Sequence, residues 1–297
     1  MRPLLSSLLS RSNRTNAQPV SAGRRSTLAS TLAAVLIATG VAAHSGIAHA
    51  QSVESIKQKG VLTVGVQADQ VPWGFIDSKG EHDGYDVDVA KLMAADMGVK
   101  LQIVSVTVPN RIAQLMTGKV DVLAAVMGMY PDRAKVIQFS KPYSVLDLVV
   151  YGKKGDVMKA PADLGKLRVG VSRASATDIA LTKQLPPGTA LERFDGDTAP
   201  IQALLSGQVD AIGGTNTYAA VLKRSPEGAK YELKFQLSRQ YNGLATRPHQ
   251  AELNAWLNAF VDRNTANGKL TAINQKWLGV DLPAMPVSLA GIPYTVQ

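Results

Sequence analysis

The segment Gly170-Val171-Ser172-Arg173-Ala174 is the part of this chain that comes closest to a catalytic motif. It matches the start of a nucleophile elbow, the strand-to-helix turn that presents a reactive serine in many hydrolases. The second glycine of that motif is missing. A serine nucleophile also needs a base, and neither His82 nor His249 stands at an obvious position for one. The sequence therefore does not favour a serine hydrolase.

Asp86 and Asp88 form a second candidate, since two neighbouring carboxylates can bind a metal or act as acid and base. The same acids at the first turn of a helix would cap it and favour its dipole, and the pattern favours this second interpretation, with Asp86 as the N-cap. The sequence contains no phosphate-binding loop, dinucleotide fingerprint or zinc-protease helix. No metal, nucleotide or other cofactor is implied.

Composition limits the chemistry further. The 297 residues include no cysteine and four histidines, which excludes a disulfide scaffold and thiol catalysis and leaves little for a metal cluster. With 45% hydrophobic and 19% charged residues the chain is globular, and its length suggests two domains. The net charge of +9 is concentrated at the N-terminus: residues 1–50 hold five arginines and no acid, and the remaining 27 basic and 23 acidic residues give +4. Nucleic-acid binding is not indicated.

Residues 1–50 have the pattern of a signal peptide. Arg24-Arg25 precedes an apolar run over 28–43, and Ala48-His49-Ala50 has the small residues of a cleavage site. We expect cleavage after Ala50 and a periplasmic location. The arginine pair leaves both the general and the twin-arginine export routes open.

The rest of the chain alternates strands and helices, which predicts an α/β fold with a mainly parallel sheet. Strands are expected at 61–66, 101–106, 120–125 and 241–246, and helices at 86–97, 110–117, 250–265 and 269–277. Gly98 and Gly118 stand where the first two helices should end.

This pattern occurs twice. Residues 112–121 match 201–210, and 62–66 match 167–171, in the same order. Two similar lobes are therefore expected: lobe 1 from 51–149 and 241–297, and lobe 2 from 150–240. The chain would cross between them near 148–152 and 237–242, which makes a hinge. The crevice beyond the carboxyl ends of the strands is then the expected ligand site.

Four groups of residues together resemble the family 3 bacterial extracellular solute-binding proteins. In chain order they are Gly84-Tyr85-Asp86-Val87-Asp88-Val89-Ala90; Leu115 with Gly118 and Asp121; Arg133 with Phe139-Ser140-Lys141-Pro142-Tyr143; and Gly268 with Lys276-Trp277-Leu278-Gly279. The resemblance covers 53–281. It implies the two-lobed periplasmic-binding-protein fold of the second type, in which the lobes close on the ligand. It also implies a membrane ABC permease as partner.

The resemblance assigns arginines to the ligand. Arg133 corresponds to the arginine that binds the α-carboxylate, for which a guanidinium fork is well suited. Arg111 resembles the arginine that pairs with the ligand side chain in receptors for acidic amino acids, and Arg173 could add a third cation. Arg111 and Arg173 could instead be solvated or paired with Asp195 or Asp197.

The loop before the first helix of lobe 2 completes the carboxylate site in the family. Here it gives Ser175, with Thr177 as a further candidate, although a plain helix cap explains Ser175 equally well.

Several positions depart from the family pattern. The acid that binds the ligand ammonium corresponds to Thr215, so either Asp195 or Asp197 replaces it or the ligand has no ammonium. The aromatic residue over the ligand corresponds to Gln70, and nearby Trp73 could supply a stacking face or belong to the core. Gly128 stands where a ligand-binding Ser or Thr is frequent.

We therefore expect a binding protein rather than an enzyme: a monomer that captures a polar or acidic amino acid, or a related small carboxylate, for a membrane ABC permease. The alternative is a periplasmic cyclohexadienyl (arogenate or prephenate) dehydratase, which shares the fold. That reaction needs an acid or base in the cleft, and Thr215 is neither.

Overall fold

The structure is a computed structural model that describes residues 52–296. The signal peptide and cleavage site expected in 1–50 lie outside the described residues. The strands are β1 Val61–Gln67, β2 Asp69–Gln70, β3 Gly74–Ile76, β4 His82–Asp83, β5 Lys100–Val106, β6 Val122–Leu123, β7 Gln138–Lys153, β8 Arg168–Ser172, β9 Ala190–Phe194, β10 Ala211–Thr215 and β11 Tyr231–Thr246. The α-helices are α1 Val53–Lys59, α2 Tyr85–Met97, α3 Arg111–Met116, α4 Pro131–Ala134, α5 Ala176–Gln184, α6 Thr198–Leu205, α7 Tyr218–Leu222, α8 Ala251–Ala266 and α9 Lys269–Leu278.

One eight-stranded sheet runs through the molecule in the order β5-β1-β6-β11-β7-β10-β8-β9. The three strands at each end are parallel to one another, whereas β7 and β11 in the middle are antiparallel to their neighbours. A small antiparallel sheet, β2-β3-β4, lies beside it. The predicted α/β class with parallel strands is confirmed. We call the elements around β5, β1 and β6 lobe 1 and those around β10, β8 and β9 lobe 2.

The internal repeat extends to individual hydrogen bonds. In each end of the sheet the first strand in the chain lies between the second and the third. The carboxylate of Asp121 accepts the backbone N–H of Thr63 at 2.9 Å, and the carboxylate of Asp210 accepts that of Arg168 at the same distance. Because the Asp121 side chain takes this N–H, regular pairing of β6 starts only at Val122, two residues later than the predicted strand.

β7 and β11 contain the predicted crossings between the lobes. Each is 16 residues long, and they pair at 13 positions with four register shifts. The expected strand at 241–246 is thus only the end of a much longer one. The alternation used to find strands is weak in β11, because its first nine residues are largely exposed or half-buried on both faces.

Helix α2 ends as predicted but begins differently. Gly98 closes it with a left-handed backbone, as expected. The N-cap is Gly84 rather than Asp86, and no side chain caps this end. Gly84 has φ +130°, and a Cβ there would lie 2.6 Å from the carbonyl oxygen of Trp73. The expectation that Asp86 caps the helix was wrong, because its side chain points into the core and accepts hydrogen bonds from Val126 N–H and Tyr143.

Asp88 has a structural partner at the far end of the chain. One of its carboxylate oxygens accepts from Lys276 Nζ at 2.6 Å and from Trp277 Nε1 at 2.8 Å. Two of the motifs recognised in the sequence therefore contact each other, which ties α9 to α2. Within 52–296, no helix combines the length and hydropathy needed to cross a membrane.

Candidate functional site

A small cavity of about 30 Å³ lies between the lobes, beyond the carboxyl ends of β1, β8 and β10. The starts of α3, α5 and α6 face it, as expected for parallel strands followed by helices. Of the residues considered for the site from the sequence, six line this cavity: Gln70, Arg111, Ser175, Thr177, Asp197 and Thr215.

Arg111 is the cationic group of the cavity wall in lobe 1. It opens α3 and is buried, and its Nη1 donates to Gln67 Oε1 at 3.0 Å and to the carbonyl oxygen of Ala125 at 2.5 Å. No carboxylate forms a salt bridge with it within residues 52–296. The guanidinium thus keeps donors for a further acceptor in the cavity.

Asp197 is the acidic group of the opposite wall, in lobe 2. It precedes α6 and is buried. Its Oδ1 accepts from Tyr218 Oη at 2.5 Å and Ser172 Oγ at 3.0 Å, and its Oδ2 accepts from Gln67 Nε2 at 2.7 Å. A buried carboxylate at the cavity surface can receive an ammonium group.

Four lining residues with polar side chains were not predicted to contact a ligand: Gln67, Ser172, Tyr218 and Gln240. The first two are the last residues of β1 and β8, so the rule that ligands meet the carboxyl ends of parallel strands could have found them. Tyr218 and Gln240 carry no such signal, because they reach the cavity from a helix start and from the hinge.

Arg133 lies next to this cavity but is not among the residues that line it. It belongs to the short helix α4 and is buried, with Nη1 donating to Gly128 O and Nη2 to Ala174 O, each at 3.0 Å. Its guanidinium also lies over the Tyr130 ring. The bond to Ala174 joins lobe 1 to the loop before α5 in lobe 2, which places Arg133 beside Ser175.

Gly128 has a steric reason to be glycine. A Cβ at this position would come within 2.6 Å of the Gln240 amide and 2.7 Å of the Tyr130 ring. Its carbonyl oxygen holds Arg133, so its contribution to this region is through the backbone.

Ser175 and Thr177 lie at the start of α5. Ser175 is the N-cap, and its Oγ accepts from Asp178 N–H at 3.0 Å, so the capping interpretation is confirmed. Its hydroxyl proton can still be donated to an acceptor in the cavity. Thr215 ends β10, and its hydroxyl lies 2.7 Å from that of Thr217.

Neither Gln70 nor Trp73 places an aromatic ring in the cavity. Gln70 lines the cavity, and its buried Oε1 has no hydrogen-bond partner among the residues described. Trp73 instead belongs to the core, with its ring 4.9 Å from that of Tyr85. It does not line the cavity, so the geometry favours the core interpretation of this residue.

Arg173 and Asp195 lie away from the cavity. They form a salt bridge of 2.9 Å with side chains 50% and 74% exposed. Arg173 points outward because it follows the last residue of β8, whose side chain takes the inward position. The paired interpretation of this arginine is the one that the geometry supports, and Asp197 is the aspartate that faces the cavity.

The two buried arginines dominate the electrostatics of the site. Burial lowers the pKa of Arg111 to about 9, with the nearby charge of Arg133 as a further cause, and burial lowers the pKa of Arg133 to about 10. Both remain charged at neutral pH. Asp197 partly offsets this positive charge, and a ligand carboxylate would offset it further.

The site offers little for catalysis or metal binding. The described part of the chain contains no cluster of three or more metal-binding side chains. Ser172, from the partial nucleophile elbow, lies 3.0 Å from the Asp197 carboxylate, and neither His82 nor His249 lines the cavity. The arrangement is one of opposite charges placed to bind a small polar molecule.

Comparison with known proteins identifies the family of the chain. A family model for bacterial extracellular solute-binding proteins, family 3, matches residues 62–280. The ABC transporter glutamine-binding protein GlnH of Bacillus subtilis is 29% identical over 257 residues, which cover 83% of this chain and 93% of GlnH.

Solved structures agree as well. A variant of ArgBP from T. maritima has a TM-score of 0.72 and 31% identity over 77% of this chain and 100% of its own. The ancestral amino acid-binding protein AncCDT-1, a precursor of cyclohexadienyl dehydratase, has a TM-score of 0.70 and 29% identity over 76% of this chain and 98% of its own. The two-lobed fold expected from the resemblance is confirmed.

Proposed function

Since the chain belongs to the bacterial extracellular solute-binding proteins of family 3, we propose that its solute is an amino acid with an acidic side chain. The chain is the substrate-binding component of an ABC importer, and it captures its solute by closure of the two lobes. Ligand stabilises the closed form because it contacts both lobes at once.

One observation carries the choice of an amino acid: Arg111 and Asp197 are buried on opposite walls of the same cavity. A guanidinium on one side and a carboxylate on the other match a ligand that has both a carboxylate and an ammonium group. Asp197 thus supplies the acid that position 215 lacks. A diacid without nitrogen would leave the buried Asp197 without its cationic partner, which is unfavourable.

We assign the α-carboxylate to Arg133 and the start of α5. Support comes from the hydrogen bond between Arg133 and Ala174, which brings the guanidinium beside Ser175 and the free N–H groups of α5. The family pattern gives Arg133 the same role. Ser175 and Thr177 then complete the site from lobe 2.

The count of charges favours an acidic side chain. Two guanidinium groups, Arg111 and Arg133, and one carboxylate, Asp197, lie at the site. Glutamate or aspartate offers two carboxylates and one ammonium, so each charge meets an opposite one. The Arg111 end of the cavity would hold the side-chain carboxylate.

We propose no enzymatic activity. The dehydratase alternative is supported only by an ancestral precursor that is itself an amino acid-binding protein. GlnH is likewise a binding protein. Thr215 and the other lining residues do not include a histidine or a second acid for proton transfer.

The location and domain bounds follow the same proposal. Membership of an extracellular family supports export, with the signal removed after Ala50, and we infer a monomer in the periplasm. The division into 51–149 with 241–297, and 150–240, is supported by three hydrophobic clusters: two fall within 149–237 and another within 104–139 and 241–294. A fourth cluster lies mainly in lobe 1 but also includes Ala176 and Leu237 of lobe 2.

A thermal-shift screen tests the function. The mature protein is unfolded and refolded to remove carried-over ligand, then tested with L-glutamate, L-aspartate, L-glutamine, glutarate and succinate. A ligand at about 1,000 times its Kd adds about 4 kcal/mol to the free energy of unfolding. We expect the two acidic amino acids to stabilise most. Stabilisation by glutarate equal to that by L-glutamate would contradict the role of Asp197.

A further inference from the structure

Gln67 occupies the centre of the proposed ligand site. It is the last residue of β1 and is buried, and its amide lies between the two charged groups on opposite walls. Its Oε1 accepts from Arg111 Nη1 at 3.0 Å, and its Nε2 donates to Asp197 Oδ2 at 2.7 Å. This one side chain thus bridges the two lobes.

The orientation of this amide is fixed by its neighbours. A reversed amide would set its NH₂ group against the donors of Arg111 and its oxygen against the Asp197 carboxylate. The oxygen end therefore faces the cation and the nitrogen end faces the anion. The carboxylate and ammonium groups of an amino acid would approach Arg111 and Asp197 with the same polarity.

Gln67 and an amino-acid ligand would compete for the acceptor oxygens of Asp197. Oδ1 already accepts from Tyr218 and Ser172, and Oδ2 accepts from Gln67. An ammonium group that pairs with Asp197 has to share or take the place of the Gln67 Nε2 at Oδ2. The same competition applies at Arg111 for the ligand carboxylate.

We propose that Gln67 is an internal substitute for the ligand: it satisfies Arg111 and Asp197, holds the lobes together, and is displaced when the amino acid binds. This rests on the proposed function, because it takes those two residues as ligand-binding groups. Gln67 thereby lowers the affinity for ligand and sets a threshold concentration for binding.

Neighbouring contacts support a closed state that needs no ligand. Asp69, two residues after Gln67, accepts the backbone N–H of Asp197 at 2.8 Å through Oδ2, and its carbonyl oxygen accepts from Thr198 Oγ1 at 2.9 Å. These bonds also join lobe 1 to the start of α6. The protein can therefore close with its own side chains in the site.

The test compares Gln67→Leu with Gln138→Leu. Leucine keeps most of the side-chain volume but cannot bridge the charged pair. Gln138 is the matched control, since it has the same side chain and is half-buried, but its amide donates to the carbonyl oxygens of Phe139 and Pro293 and does not line the cavity. Calorimetric titration uses L-glutamate as the probe, and small-angle X-ray scattering measures the radius of gyration without ligand.

We expect Gln67→Leu to bind L-glutamate about tenfold more tightly than the unaltered protein, the effect of one charge-assisted hydrogen bond. Without ligand it should have a larger radius of gyration. Gln138→Leu should show neither change. An unchanged or weaker affinity of Gln67→Leu, or an unchanged radius of gyration, would overturn the proposal, because Gln67 would then be a structural residue or a direct ligand contact.

The scattering experiment separates this proposal from the proposed function. If L-glutamate fails to bind the unaltered protein, the assignment of an acidic amino acid is wrong. The radius of gyration of ligand-free Gln67→Leu still decides whether Gln67 holds the lobes together. A variant that does not fold is recognised by its circular dichroism, and Gln67→Asn, whose shorter amide cannot span both partners, then replaces it with the same expectations.

Discussion

Tyr143 donates its hydroxyl to Oδ1 of Asp86 at 2.6 Å, in a part of the core where neither side chain reaches solvent. The other oxygen of Asp86 accepts the backbone N–H of Val126 at 2.9 Å. Val126 has a positive φ of 47°, and its carbonyl oxygen and that of Ala125 accept from Arg111. Asp86 therefore fixes the turn that positions Arg111.

We predict that Asp86 lowers the free energy of unfolding as the pH rises. An aspartate whose pKa is lowered by folding would have the opposite effect. Burial raises its pKa from 3.8 to about 6, despite the hydrogen bonds that favour the charged form. The native state then binds the proton more tightly than the unfolded state. The contribution of Asp86 to the free energy of unfolding is greatest below pH 4 and is lost as the pH rises through 6. Between pH 4.5 and pH 8 the loss is about 2 kcal/mol.

Asp86→Asn should remove this dependence. The amide oxygen can accept from Val126 N–H, while the Tyr143 hydroxyl turns to accept from the new NH₂ group. Urea unfolding at pH 4.5 and pH 8 measures both proteins. Relative to the unaltered protein, the variant should gain about 2 kcal/mol between the two pH values. Parallel curves for the two proteins would mean that Asp86 stays ionised in the core.

Asp197→Asn should weaken the binding of amino acids much more than the binding of the corresponding acids that have no amino group. Without its charge, residue 197 cannot balance a buried ammonium, and we expect L-glutamate affinity to fall by at least about 30-fold. Glutarate should be far less affected. Asp195→Asn is the matched control, because this aspartate is two residues away but 74% exposed. Equal losses for L-glutamate and glutarate in calorimetry would argue against an ammonium at this position.

Arg133→Gln should abolish measurable binding of every amino acid, whatever its side chain. The neutral amide loses both the charge and the fork of donors assigned to the α-carboxylate, a loss of about 2–5 kcal/mol in binding free energy. Arg173→Gln removes an exposed arginine from the same region and should bind normally. Calorimetric titration of both with L-glutamate and L-aspartate measures the difference; normal binding by Arg133→Gln would place the α-carboxylate elsewhere.

Gly84→Ala should destabilise the fold by about 2–5 kcal/mol. The new methyl group would meet the Trp73 carbonyl oxygen at 2.6 Å, and the backbone at φ +130° disfavours any side chain. Gly80→Ala is the control, since Gly80 also has a positive φ of 83° but open space around it. It should cost only about 1–2 kcal/mol in urea unfolding. Equal losses would mean that α2 can shift away from Trp73.

Much of the fold could be predicted from the sequence, because short residue patterns determine where strands form and where helices end. Apolar runs gave β1, β5 and β8, and glycines with positive φ marked the ends of α2 and of the helices before β6 and β10. The repeat was visible since Asp121 and Asp210 keep the same hydrogen bond in both lobes. The full lengths of β7 and β11 could not be predicted, because long paired strands depend on contacts between residues far apart in the chain.

The residues of the site could be predicted only in part from the sequence, for a related reason. The family pattern gave Arg111, Gln70, Arg133, Ser175 and Thr215. What no local pattern shows is which of two nearby aspartates faces inward: Asp195 and Asp197 differ only in the side of the loop on which they lie. Gln67 was overlooked because its importance comes from two charges distant in the chain.

The paired strands β7 and β11 have a consequence for amide hydrogen exchange. Hinges are commonly expected in weakly bonded loops, but here the crossing segments are bonded to each other at 13 positions. Rotation of one lobe against the other has to be spread along this ladder as a change of twist. The amides at the pivot should therefore exchange slowly, while those of the surface loop that carries Asp195 exchange fast. Protection from exchange would then mark the axis of motion in this protein instead of its rigid parts.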